Sequence, residues 1–139
     1  MPVFNALIRT HHITSRKKVA ALKRAADGLN CSALLRYGGC PGIMYVEAKD
    51  KETVESWVGV VKNLRYKDFQ LVSRPAGLVV EGANETKGPE KNRGKTKGEE
   101  EGLFKTGLDE VDSVKEFGSL MERRGVWQWW RRGMGYVKD

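Results

Sequence analysis

Between Val3 and Ser73 the apolar pattern switches repeatedly between a period of two and a period of three to four. The order is strand, helix, strand, strand, helix, strand. Few folds accept that order in so short a stretch. It is the split β-α-β, or ferredoxin-like, signature: an α+β fold whose four-stranded antiparallel sheet carries both helices on one face. The other face is expected to stay open.

The individual segments support this reading. Val3 to His11 alternates as a strand, with Phe4, Ala6 and Ile8 on one face and Leu7 and Arg9 on the other. Thr14 and Ser15 offer an N-cap, and a helix runs from Ser15 to Ala26, where Asp27 and Gly28 are expected to end it. Its stripe is Val19, Leu22 and Ala26. Cys31 to Tyr37 and Ile43 to Lys49 read as strands joined through Gly38-Gly39-Cys40-Pro41-Gly42, a dense turn signal that makes them a hairpin. In the second of them, Met44, Val46 and Ala48 face the helices, and Ile43, Tyr45 and Glu47 face out. Asp50 is the expected N-cap of a second helix, whose Val54, Trp57, Val58 and Val61 have the spacing of a buried face. Phe69 to Ser73 is the fourth strand, stopped by Arg74-Pro75.

Beyond residue 82 the composition changes. Residues 83–102 contain no Val, Ile, Leu, Met, Cys or aromatic side chain, so the sequence predicts a flexible linker between a domain at 1–82 and a C-terminal segment at 103–139. In that segment Asp109 to Arg124 reads as a helix with Val111, Val114, Phe117 and Met121 on one side, closed by Gly125. Trp127, Trp129 and Trp130 follow, flanked by Arg131 and Arg132. Three indoles are costly to leave in water. Two expectations follow: they dock on the sheet domain as core, or they form an aromatic surface for a protein partner.

Charge and motifs bound the chemistry. The net charge is +7, and residues 1–82 carry most of it, with 13 Lys and Arg against 7 Asp and Glu. A basic folded domain attracts polyanions. No run of apolar residues is long enough to span a bilayer, and no basic head with a long apolar run opens the chain, so neither membrane nor secretion is expected. Two cysteines make no disulfide scaffold, and an intracellular, nuclear or cytoplasmic setting is expected. His12-Ile13-Thr14 has the tripeptide of the two-histidine phosphoesterases, but His11 and His12 are the only histidines, and the second tripeptide cannot be built. Cys31 and Cys40 with two adjacent histidines make a poor zinc set. No phosphate-binding loop or nucleophile elbow is present. The expectation is a chain without catalysis, cofactor, metal or small-molecule substrate. What survives is a basic group at a strand-to-helix junction: His11, His12, Ser15, Arg16, Lys17 and Lys18. A helix start presents free N–H groups and partial positive charge, which suit phosphate.

Those residues carry a resemblance. His11-His12-Ile13 with Ser15 and Lys17-Lys18, then Gly39-Cys40-Pro41-Gly42-Ile43, Val46-Glu47 and Trp57 together resemble the C-terminal domain shared by pre-mRNA-processing factor three and the RWD domain-containing protein two family. The likeness covers roughly residues 4–75 and, to a lesser degree, the final helix. It implies a ferredoxin-like fold and binding of RNA where duplex meets single strand. The chain as given carries neither the RWD domain nor the long N-terminal part that accompany this domain elsewhere. By matching position, the RNA face uses His11, His12, Ser15, Lys17 and Lys18, with Gly42 and Tyr45 nearby. Arg9, Arg16 and Arg36 extend the expected nucleic-acid site, with Tyr45 as a stacking platform.

Overall fold

The computed structural model describes residues 3–81 and 105–136. The predicted 83–102 linker lies outside the described residues. The order of elements is β1 (Phe4–Thr10), α1 (Arg16–Leu29), β2 (Ser32–Arg36), β3 (Gly42–Ala48), α2 (Lys51–Asn63), β4 (Gln70–Gly77), β5 (Gly107–Val111), α3 (Val114–Arg124) and α4 (Trp127–Met134). The fold is α+β and ferredoxin-like, but the sheet has five strands in the order β4-β1-β3-β2-β5. Four are antiparallel neighbours, and β5 lies parallel to β2. The expected four-stranded antiparallel sheet is thereby corrected to a mixed one. The C-terminal segment supplies a strand of it and is no separate appendage. Among the described residues no helix is long and apolar enough to cross a membrane.

The inner layer follows the sequence pattern. Ala6, Ile8, Met44, Val46 and Ala48 from the sheet pack with Val19, Leu22 and Ala26 of α1 and Val54, Trp57, Val58 and Val61 of α2. The Trp57 indole donates to the Leu22 carbonyl at 3.2 Å, so the bulkiest core side chain also ties the helices together. Helix α1 outlasts Asp27-Gly28. It ends where Asn30 takes the left-handed conformation at φ 61° and its N–H reaches the carbonyls of Ala26 and Asp27. Strand β4 likewise outlasts Arg74-Pro75. It is an edge strand whose pairing to β1 shifts register around Asn5 and Leu7, and a proline costs little there.

The outer face is covered, contrary to the expectation that it stays open. Leu7, Leu34, Ile43 and Tyr45 point away from α1 and α2 and pack against Phe117, Met121, Val126, Trp130 and Met134 of the two C-terminal helices. A polar chain runs from the fully buried Tyr45 to Glu47 and Arg124, which line a cleft at the end of this layer. The Tyr45 hydroxyl donates to Glu47 Oε1 at 2.7 Å, the Arg124 guanidinium donates to the same carboxylate at 2.8 Å, and Asn5 donates to the Tyr45 oxygen at 3.3 Å. Burial, and then the neighbouring Glu47 carboxylate, pushes the Tyr45 phenol well above its ordinary range, so it stays a donor.

Helix α4 is fastened at both ends. Val126 at its N-cap has no side-chain hydrogen bond, and the Glu81 carboxylate instead accepts from the backbone N–H groups of Gln128 and Trp129 at 3.0 and 2.8 Å. At the other end the Arg9 guanidinium donates to the Met134 carbonyl at 3.1 Å. Carboxylate at the N-terminus and guanidinium at the C-terminus both suit the helix dipole.

Arg124→Met leaves the Glu47 carboxylate buried without its cation. Urea unfolding is expected to show a loss of about 3–5 kcal/mol, and the double substitution Glu47→Leu with Arg124→Met a clearly smaller one. Equal losses would show that the pair does not act as a unit.

Candidate nucleic-acid interface

The segment between β1 and α1 is held at several points, which decides where each predicted side chain goes. Ile13 is buried and its carbonyl accepts from the Gly38 N–H at 2.7 Å. Thr10 is buried beside it, and the Tyr37 hydroxyl donates to the Thr14 carbonyl at 2.8 Å. On the opposite side the His11 N–H donates to the Lys67 carbonyl at 2.9 Å, which joins this segment to the α2–β4 loop. Gly42 makes the close approach possible. A Cβ there would overlap Thr10 Oγ1 and lie 2.7 Å from Ile13 Cγ1 and 3.1 Å from the His12 carbonyl carbon.

Several predicted contact residues are therefore spoken for. Gly42 is buried under Thr10 and Ile13 and offers no surface. Tyr45 is fully buried under the C-terminal helices and cannot stack on a base. Arg9 caps α4. Arg36 donates to the carbonyls of Pro41 at 3.0 Å and Asp112 at 3.4 Å, bracing the β2–β3 turn. Ser15 accepts from the Lys18 N–H at 3.2 Å and caps α1 with its own side chain. Arg16 forms a two-point pair with Glu110 at 2.9 and 3.0 Å and lies 4.3 Å over the Tyr37 ring. The Glu110 carboxylate holds the guanidinium above its usual range, and Tyr37 adds to the effect.

What remains outward is smaller and sits at the end of the strands, where β1 leads into α1. His12 and Lys17 are exposed, and Lys18 lies half-buried with its ammonium 4.8 Å from the Tyr66 ring centre. The bond from His11 to Lys67 and the contact of Lys18 with Tyr66 set the α2–β4 loop, with its exposed Arg65 and Lys67, against this junction. Among the described residues no carboxylate pairs with Lys17, Lys18, Arg65 or Lys67. Sequence reasoning missed Arg65 and Lys67 because only the fold brings the α2–β4 loop to the start of α1. The one local signal was their position in a predicted loop.

His11 turns away from this ledge. Its Nδ1 lies 3.6 Å from Asp68 Oδ2, and its Nε2 lies 3.8 Å from the Cys40 sulfur. The sequence reading assembled no nucleophile and base because these residues come from three separate loops. Among the described residues no set of three or more His, Cys, Asp or Glu side chains has the arrangement of a metal site.

The tryptophans divide. Trp130 is core, stacked on Phe117 at 6.0 Å between centroids, and is no free partner anchor. Trp129 is half-buried with its ring edge-on to Tyr45 at 5.8 Å. Trp127 is half-buried under the Arg131 guanidinium at 4.6 Å. Arg132 is exposed.

No family model matches the chain, and no curated protein does. Among solved structures, one described as BlrP1 BLUF is similar, with a TM-score of 0.52 and 14% identity, covering 91% of this chain and 78% of that one. At that identity the likeness shows the fold alone. It defines the class as ferredoxin-like α+β.

Two outcomes follow from this geometry. Gly42→Ala is expected to lower unfolding free energy by about 1–3 kcal/mol in urea, since the Thr10–Ile13 backbone must retreat. The second concerns acid. Arg16, with Lys23 behind it, holds the Glu110 carboxylate below its ordinary 4.5. A depressed folded value stabilises the protein above that pH and ceases to do so as pH falls through it. Glu110→Gln should therefore melt below wild type at neutral pH, and the gap should close as the pH falls below the ordinary carboxylate range and through the depressed folded value.

Proposed function

We propose that this chain is an RNA-binding domain that grips the sugar-phosphate backbone at the end of the strands where α1 begins. The observation that carries the reading is the convergence of Lys17 and Lys18 with Arg65 and Lys67, two segments far apart in sequence, without pairing carboxylates among the described residues. Four cations on two segments that touch, with no carboxylate paired to them among the described residues, have the footprint of a phosphate track. His12, exposed between them and the turn, supplies a ring for one base. The resemblance of the His11–Lys18 and Gly39–Ile43 motifs to the splicing-factor domain supports the same polymer, at a junction of duplex and single strand. With the sheet face covered, contact is made mainly to phosphates and ribose, which fixes register more than sequence.

The test is fluorescence anisotropy on a short RNA stem with a single-stranded 3′ overhang, across a salt series. Four phosphate contacts to a single strand give a slope of log affinity against log salt of about −3. Lys17→Glu with Lys18→Glu should weaken binding by at least about tenfold, and Arg65→Glu should weaken it as well. Glu52→Lys, on α2, should not. Lack of binding at about 50–100 mM salt removes the reading.

A further inference from the structure

We propose that Cys40 is a peroxide-reactive thiol, with His11 as its base and Asp68 as the residue that positions that base. The three side chains meet in an open cleft of about 550 Å³ walled by Arg9, Thr10 and Pro41. The imidazole stands between the other two. Nδ1 is 3.6 Å from the Asp68 carboxylate and Nε2 is 3.8 Å from Cys40 Sγ. In the tautomer that carries its proton on Nδ1, the ring turns that N–H toward the Asp68 carboxylate and the Nε2 lone pair toward sulfur, the arrangement that activates a nucleophilic thiol.

Hydrogen bonds to the backbone hold two of the members in place. The His11 N–H is bonded to the Lys67 carbonyl, and Arg36 braces the loop after Cys40 through the Pro41 carbonyl. Arg9 and Asp68 line the same cleft as Cys40, the His12 ring centre is 4.7 Å from that of His11, and Arg36 donates to the carbonyl of Pro41, next to Cys40 in the chain. Cys40 is exposed, so a small electrophile reaches it. The other cysteine is a built-in contrast. Cys31 is buried, and desolvation pushes its thiol up to about 11.

The step balances as follows. The Cys40 thiol proton passes to His11 Nε2. The sulfur lone pair attacks the terminal oxygen of a hydroperoxide, ROOH, and the O–O bond breaks. The sulfur is oxidised to a sulfenic acid, keeping that OH, while RO⁻ takes the proton from His11 and leaves as alcohol, or as water when R is hydrogen. The inference does not rest on RNA binding, and its test contains no RNA.

The test treats the full chain with hydrogen peroxide at neutral pH, traps sulfenic acid with dimedone and maps it by peptide mass. Cys40 is expected to react, and Cys31 to stay unmodified. His11→Ala should slow Cys40 by at least about tenfold, and free imidazole should restore part of the rate. Asp68→Asn should slow it several-fold at an unchanged melting temperature, with Asp68→Glu recovering the rate. Equal rates for wild type and His11→Ala overturn the proposal. Should His11→Ala fail to fold, His11→Gln is judged by the same criterion.

Discussion

The outer face of this sheet cannot face water. Leu7, Leu34, Ile43 and Tyr45 form a continuous apolar surface, and each large apolar side chain gains about 1.5–3 kcal/mol from full burial. Phe117, Met121, Trp130 and Met134 complete that burial. The fifth strand, the Tyr45–Glu47–Arg124 chain and the capping of α4 all follow from it. Strand β5 delivers the chain to the far edge, α3 crosses back over the sheet, and Arg124 arrives above Glu47. Glu47, which alternation alone would leave in water, becomes the acceptor that lets Tyr45 bury its hydroxyl.

The inner half of the fold was legible because its signals are local and agree. Strand alternation placed Ala6, Ile8, Met44, Val46 and Ala48 on the helix side, and the α2 stripe of Val54, Trp57, Val58 and Val61 has helical spacing and is buried. Two boundaries slipped for tertiary reasons. Asn30, in the left-handed conformation, rather than Gly28 ends α1, and an edge position makes Pro75 tolerable in β4. In sequence, Asp109–Val111 of β5 resembles the start of a helix, because Val111 shares a helical stripe with Val114 and Phe117. What makes Gly107–Val111 a strand is the free edge of β2, a partner remote in sequence. A local clue was present: Ser113 and Glu116 have capping-box spacing, and the Ser113 side chain does accept from the Glu116 N–H.

The site was legible in part. A basic junction was visible as residue types, but sequence does not show which cations are already engaged. Arg9, Arg16 and Arg36 each found an acceptor contributed by a different element: the end of α4, β5, and the turn before β3 together with the residue after β5. With the outer face of the sheet covered, the available charge lies at the end of the strands, where the α2–β4 loop adds Arg65 and Lys67. The same loop brings Asp68 to His11, so the cationic ledge and the Cys40 cleft share one backbone hydrogen bond, from His11 to Lys67.

The tethers at the two ends of α4 carry information about direction. Glu81 meets amide hydrogens and Arg9 meets a carbonyl. Were the same eight-residue helix laid across the sheet the other way round, carboxylate would confront carbonyl oxygens and guanidinium would confront N–H groups. Greasy contact alone is nearly indifferent to such a reversal. This pair of opposite charges, planted on either side of the seat, makes the docking polar like a keyed plug, so the segment can enter in only one sense.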